Sequence, residues 1–417
     1  MQQNKTGKMG NTNFETLFTL EEINRFRADT PACLEKIHFN NAGASLMPTI
    51  VKQEIINYIE LESKIGGYEA ADKEVSNINA FYDSAANLLN CTPGEIAFTA
   101  NATDSFSRAL SSIPFKKDDV ILTTNEDYIS NQISYLAFAK RFGTKLIRAE
   151  SLQKGGVDLN SLEECIKRYN PQLVAVTHIP TNSGLVQPVQ EVGDLCEKYE
   201  TLYLVDGCQS VGQLPVDVKK IKCDFLSFTA RKFLRGPRGA GALYVSGKAL
   251  AQGLEPLFID MRGADWISDN TYIPAKDAKR FEDWETAYAL LLGTKSAINY
   301  CFNVGVNRIE HQVKFLSGYI RRELQEIDKV TVQDKGAELA GLVTFHLKGS
   351  DPVFIKKFLA DKNISVSISI RNFAVIDYDA KKVDWTIRVS PHYYNTVDEA
   401  DRLFEAVREI SKSKPQG

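Results

Sequence analysis

Two apolar runs in the middle of the chain end on groups of opposite charge. Leu202-Tyr203-Leu204-Val205 ends in Asp206, followed by Gly207-Cys208-Gln209. Phe225-Leu226-Ser227-Phe228 leads into Thr229-Ala230-Arg231-Lys232, and a glycine-bearing turn, Gly236-Pro237-Arg238-Gly239, separates it from the next β-rich run. A lysine is ordinarily a solvated surface group. At the end of an apolar strand, with Arg231, Arg235 and Arg238 around it, its ammonium gives up the proton more readily and leaves a nucleophilic amine. An amine able to condense with an aldehyde, and an anion able to keep a pyridine nitrogen protonated, are the two parts that pyridoxal 5′-phosphate (PLP) chemistry asks of a protein.

The elements that must position these groups follow from the hydrophobic pattern. Residues 96–99, 120–124, 145–148, 173–178, 202–205, 225–228 and 242–245 read as short strands, alternating with helical patterns such as 160–169 and 191–199. This alternation predicts an α/β domain with a mostly parallel sheet covered by helices on both faces, whose ligands gather at the carboxyl ends of the strands. Residues 287–325 carry helical spacing out of that domain. Beyond them, strands at 330–332, 342–347, 364–368 and 385–389 with helices near 352–361 and 396–411 predict a smaller α+β domain. The expected division is a loose polar tail over 1–14, an N-terminal segment over 15–48, a large domain over 49–295 and a small C-terminal domain over 296–417.

The chain has 417 residues, 43% hydrophobic and 25% charged, with a formal net charge of -3. The charges are interleaved without a basic block, which argues against a nucleic-acid partner. No apolar run is long enough to span a bilayer and residues 1–14 lack the apolar core of a secretory signal, so no membrane partner and a cytoplasmic location are expected. The seven cysteines show no C-x-x-C spacing, which suggests neither a zinc site nor a disulfide framework and leaves no metal expected.

With these motifs in place, the chain resembles the class V aminotransferase family of fold-type I PLP enzymes, from about residue 39 to 406. That family includes cysteine desulfurases, kynureninase, isopenicillin N epimerase-like proteins and ergothioneine-type C–S lyases. The resemblance implies that Lys232 is the Schiff-base lysine, Asp206 the partner of the pyridine nitrogen, Gln209 a donor to the phenolic oxygen and Thr229 a phosphate-binding hydroxyl. Many relatives have His before the lysine; Arg231 stands there and can bind phosphate by charge-assisted hydrogen bonds. In Asn101-Ala102-Thr103 a helix start provides backbone N–H groups for the phosphate, with simple capping by Asn101 or Thr103 as the competing reading. Tyr128 aligns with the residue that stacks on the ring. Thr181, and after it Asn182, fall where relatives address the phenolic oxygen or the substrate, although Pro180-Thr181-Asn182-Ser183-Gly184 is also an ordinary turn sequence. Arg388 matches the arginine that grips the substrate α-carboxylate through its planar fork. Ala42 and Gly43 would lie beside the substrate, and His392 either contacts it or makes a structural hydrogen bond. Trp284 falls where a neighbouring subunit reaches the phosphate, so a homodimer with shared active sites is implied.

Within the family, the loop that carries the sulfur-accepting cysteine of desulfurases corresponds to residues 365–378, which contain no Cys. The segments around Lys232 and from Ser390 to Thr396 look closest to the branch of ergothioneine-type C–S lyases and epimerase-like proteins. β-Elimination from a cysteine S-conjugate is the leading expectation. Transamination to a 2-oxo acid and epimerisation are the alternatives, and a non-enzymatic PLP-fold binding module is the remaining class.

Overall fold

The computed structural model describes residues 18–412. The polar tail expected over 1–14 and the last five residues lie outside them. The first strand is β1 (Ile37–His38), and the strands of the large sheet come later in the chain: β2 (Ile96–Thr99), β3 (Val120–Thr123), β4 (Lys145–Arg148), β5 (Leu173–Thr177), β6 (Leu202–Asp206), β7 (Phe225–Thr229) and β8 (Gly241–Val245). Each lies within one residue of its predicted bounds. Their order is β2-β8-β7-β6-β5-β3-β4, and β8 alone runs against its neighbours. Alternate residues enter two different cores: Val174 and Val176 face one layer, Leu173 and Ala175 the other. That is why these strands read as continuous apolar runs rather than alternating ones.

The parallel β5, β6 and β7 all finish at one rim, and Thr177, Asp206 and Ser227 stand side by side there. Because β8 is reversed, the turn carrying Lys232 leaves β7 and re-enters the sheet at the same rim, with Thr229 opposite Gly241. A two-stranded hairpin, β9 (Ala264–Ser268) with β10 (Thr271–Pro274), projects from the large domain. Sequence pattern gave no sign of it, since nearly all of its side chains face solvent.

The long helical segment is two helices, Tyr288–Val304 and Val306–Gln325, broken at Gly305, whose φ of +93° suits glycine. The expected boundary between residues 295 and 296 falls inside the first. The second sheet contains β11 (Val330–Val332), β12 (Val343–Leu347), β14 (Ser367–Ile370) and β15 (Trp385–Val389) in the order β11-β12-β15-β14, while β13 (Ile364–Ser365) pairs in parallel with β1. Ile37 and Phe39 thus belong to the core of the small domain. The N-terminal segment is a strand and strap of that unit which then crosses toward the rim.

Candidate active site

Lys232 is buried, 6% exposed, in the turn after β7, where Arg235 N–H closes on the Lys232 carbonyl at 2.9 Å. Burial lowers the pKa of its amine, and Arg231 and Arg388 lower it further, against the opposing pull of Asp206. The amine lies over the ring of Tyr128, 5.8 Å from its centroid.

Asp206, at the end of β6, is held from two sides: Cys208 N–H donates to Oδ1 at 2.9 Å, and Asn131 Nδ2 donates to Oδ2 at 2.9 Å. Asn131, on the helix Ile129–Phe142 that Tyr128 opens, also donates to Asp127 Oδ1 at 3.1 Å. Asp127 accepts from Thr177 Oγ1 at 2.5 Å and from Gln132 Nε2 at 2.8 Å. Burial raises the Asp127 carboxyl, with nearby Asp206 adding to the effect. The sequence reading missed this second buried acid and the asparagine joining it to Asp206; the one available signal was an acid and an amide, Asp127 and Asn131, on either side of the aromatic position.

Gln209 donates from Nε2 to the Ala42 carbonyl at 3.1 Å and to Thr181 Oγ1 at 3.4 Å, while its Oε1 is buried without a partner. Thr181 in turn offers its carbonyl to Arg388 Nη1 at 3.2 Å, and Arg388 Nη2 reaches Asn40 Oδ1 at 3.4 Å. Arg388 Nε is buried and unpartnered, and burial brings the guanidinium down to about 10. Arg231 donates to the Gly43 carbonyl, so its guanidinium lies against the N-terminal strap. Lys232, Asp206, Gln209, Tyr128, Thr181, Arg231, Arg388, Ala42 and Gly43 are thereby linked through contacts or electrostatic influence at one rim.

The phosphate-side residues are arranged around the helix Ala102–Ser111. Asn101 caps it, accepting from Asp104 N–H at 3.0 Å, which leaves the N–H groups of Ala102 and Thr103 as its first unpaired donors. A Cβ on Gly241 would stand 2.6 Å from Asn101 C and 2.8 Å from Ala102 N, so glycine there lets β8 carry the helix start against the sheet. Thr229 Oγ1 makes a long 3.3 Å bond to Ala240 O from the adjoining strand end. Trp284 is half exposed, its backbone N–H donating to Asp260 Oδ2 at 2.6 Å, and Glu282, two residues earlier, is buried and accepts from Phe98 N–H and Tyr82 OH.

Two expected substrate contacts are placed otherwise. His392 accepts from Tyr393 N–H at Nδ1 (2.9 Å) and donates from Nε2 to the Phe233 carbonyl (2.8 Å), so both ring nitrogens are consumed by backbone and burial keeps the ring neutral. Of the two readings offered for this residue, the structural one describes it. Asn182 points its amide at Asp377 Oδ2, 2.6 Å away, on the small-domain helix Val375–Lys381. Lys381 Nζ lies 2.7 Å from the same carboxylate, and Glu126, from the loop after β3, accepts from Ser183 Oγ at 2.9 Å. Burial, with Asp377 nearby, pushes the Glu126 carboxyl up to about 7. A buried polar latch therefore fastens residues 375–381 to the loops that follow β3 and β5.

Residues 37–403 match the family described as aminotransferase class-V. The chain belongs to this family. A probable cysteine desulfurase of Pyrococcus abyssi is 29% identical over 93% of this chain and 97% of its own length. One from Methanothermobacter thermautotrophicus is 26% identical over 92% and 97%. The apo cysteine desulfurase of Thermococcus onnurineus NA1 superposes with a TM-score of 0.86 at 28% identity, covering 93% of this chain and 98% of that one. The cystine C–S lyase C-DES, solved with its product cysteine persulfide, shares the fold at a TM-score of 0.81 and 24% identity, with 93% and 100% covered. The first three carry the name of the desulfurase branch, which the absence of Cys from residues 365–378 had disfavoured, rather than that of the ergothioneine-type or epimerase-like branch expected from the motifs.

As a class V enzyme the protein uses PLP, and its residues fit that cofactor. A buried amine with lowered pKa lies within the electrostatic reach of a buried carboxylate, an aromatic ring flanks the amine, and a glutamine amide and a guanidinium at the same rim keep unpartnered polar atoms. Lys232 would hold the aldehyde, Asp206 the pyridine nitrogen, and the 101–103 helix start with Thr229 the phosphate. Among the described residues no helix is long and apolar enough to cross a membrane.

Proposed function

We propose that this class V enzyme is a C–S lyase that removes the β-substituent of a cysteine-derived amino acid by elimination, without passing sulfur to a thiol of its own. The observation that carries the reading is the latch over residues 375–381. In the desulfurase branch the matching loop brings a cysteine to the substrate; here the 365–378 stretch has none, and its end is a helix pinned by Asp377 and Lys381. Cys208 adjoins the site between Asp206 and Gln209, but burial pushes its thiol well up, with Asp206 adding to the effect, and keeps it protonated. The desulfurase relatives supply the other half: chemistry at the Cβ–S bond of cysteine.

When bound, PLP supplies an electron sink for negative charge at the substrate Cα. Arg388 grips the α-carboxylate through its free Nε and fork, turning the Cα–H toward Lys232. The Lys232 amine, with its lowered pKa, would take the Cα proton and hand a proton to the departing sulfur. Asp206, fixed by Asn131 and Cys208 N–H, would hold the proton on the ring nitrogen.

We also infer a homodimer. Phe258, Met261 and Trp266 are 83%, 66% and 80% exposed, and Ile267, Ile273 and Trp284 are exposed as well, so the segment from 258 to 284 offers many apolar side chains to solvent. A surface of that kind calls for a partner.

The test is product analysis of the purified holoenzyme with L-cysteine, cystine and a panel of cysteine S-conjugates. Pyruvate and ammonia in equal amounts support elimination. Alanine with sulfur left on the protein is the desulfurase outcome and refutes the proposal. Dependence on an added 2-oxo acid identifies transamination, and exchange of the Cα hydrogen without net product identifies epimerisation. Lys232→Ala should abolish both turnover and the borohydride-trapped cofactor adduct.

A further inference from the structure

Arg235 lies three residues beyond the cofactor lysine and has no role in the chemistry above. It is 2% exposed, and among the described residues no carboxylate stands within ion-pair distance of it. Its guanidinium is satisfied by oxygens and π-faces alone. Nε donates to the Leu46 carbonyl at 3.0 Å, Nη1 to Tyr393 OH at 2.5 Å, and Nη2 to Thr30 Oγ1. The rings of Tyr394, Tyr393 and Tyr300 surround Cζ at 4.4, 5.2 and 5.6 Å. A buried cation without a counter-ion is costly unless its hydrogen bonds are complete and its faces meet aromatic rings. This cage supplies both.

What the cage joins is the point. Thr30 and Leu46 bracket the N-terminal strap that carries Ala42 and Gly43. Tyr393 and Tyr394 belong to the loop that follows Arg388 on β15, and Tyr394 OH reaches back to Asn41 Oδ1 at 2.5 Å, beside Ala42. Tyr300 belongs to the helix Tyr288–Val304 of the large domain. Arg235 itself sits in the lysine turn, which is closed by its N–H on the Lys232 carbonyl and by Gly236 N–H on the Ala230 carbonyl at 2.8 Å. The turn requires a φ of +63° at residue 235, a left-handed conformation uncommon for residues other than glycine.

We propose that Arg235 is a positioning residue: its caged guanidinium sets the lysine turn, the N-terminal strap and the carboxylate-binding loop in register, so that the Lys232 amine, the Ala42–Gly43 backbone and Arg388 converge on one ligand. Arginine fits this task and lysine does not, because three donors in a fixed plane are used toward three separate segments. The leading influences on the Lys232 amine are burial, Cys208, Asp206, Arg231 and Arg388, so removal of Arg235 changes the amine's surroundings chiefly by displacing the turn.

The experiment uses the PLP-loaded full chain without substrate and follows the visible absorption of the lysine-bound cofactor against pH. In Arg235→Met the titration midpoint should move by about one pH unit, the scale on which burial and neighbours set such values, and cofactor loss on dialysis should quicken about tenfold, as expected of a slightly misplaced attachment point. Arg235→Lys should not restore the midpoint, because it keeps the charge but loses the fork. Tyr393→Phe, which deletes one acceptor of the cage, should shift the midpoint in the same direction by less, and it decides the matter if Arg235→Met fails to fold. Midpoints within 0.2 pH unit of the parent protein, roughly the smallest meaningful change on the scale above, would overturn the proposal even if melting temperatures fell, for that is the signature of a merely structural residue.

Discussion

The carboxyl of Glu126 gives the most quantitative handle on the latch. In an unfolded chain it titrates near 4.5; folded, it titrates at about 7, because it is buried and Asp377 lies close. Between those values the folded protein keeps a proton that the unfolded chain has already lost, so stability falls as pH rises from about 4.5 to about 7 and is level above that. At about 1.4 kcal/mol per pH unit, the whole span is worth roughly 3 kcal/mol. Lys381 and the Ser183 hydroxyl act in the opposite sense, and Asp334, held by Arg321 at 2.8 Å, adds a weaker upward push. Glu126→Gln keeps an acceptor for Ser183 and carries no charge at any pH. Urea unfolding followed at Trp385, on β15 of the small domain, should show the variant about 3 kcal/mol more stable than the parent at pH 8, with the gap nearly closed at pH 5. A gap of the same size at both pH values would show that the Glu126 carboxyl does not titrate in this range when folded, and the electrostatic account of the latch would fail with it.

Two further outcomes follow from the site. Asn131→Ala removes the donor to Asp206 Oδ2 and leaves two buried acids without their bridge; holoenzyme equilibrated against PLP should show affinity reduced by about tenfold, the cost of one charge-assisted hydrogen bond, and unchanged affinity would remove Asn131 from the positioning of Asp206. Gly241→Ala places a methyl 2.6 Å from the Asn101 carbonyl carbon, so the 101–103 helix start must move. Thermal stability should drop by about 1–3 kcal/mol, the usual cost of overpacking, together with weaker binding of inorganic phosphate to the apoenzyme, whereas a stability loss alone would place the phosphate elsewhere.

Much of the scaffold was legible because it obeys local rules. The strands of the large sheet are short apolar runs ended by polar or glycine residues, and a fully buried parallel strand leaves that trace whatever packs on it. The helix Pro352–Asp361 begins with Asp351 as cap and Pro at its first position, signals that need no tertiary knowledge. Lys232 and Asp206 were legible for a different reason: charge at the end of an apolar strand is a local contradiction that folding tolerates only where chemistry repays it. The rest depends on partners distant in the chain. Asn131 reads as a helix residue until Asp206 arrives beside it, and His392 reads as a candidate ligand until Phe233 and Tyr393 occupy its nitrogens. Arg235 looked like one more cation beside the lysine, although its real neighbours come from Thr30, Leu46, Tyr300 and Tyr393. The hairpin of β9 and β10 escaped because solvent-facing strands leave no buried face to alternate with.

The single reversed strand, β8, divides the molecule's tolerance of insertion and deletion. Its first residue, Gly241, is at the reactive rim and its last, Val245, at the far edge opposite Phe225. One residue added between 230 and 240 would change the length of the loop that aims the amine, and no neighbouring segment could absorb it. Beyond Val245 the chain is held by Ser246, which caps the short helix Gly247–Ala251; the exposed Gly253 that follows, with open space where a Cβ would stand, is the natural place to graft a tag or a tether.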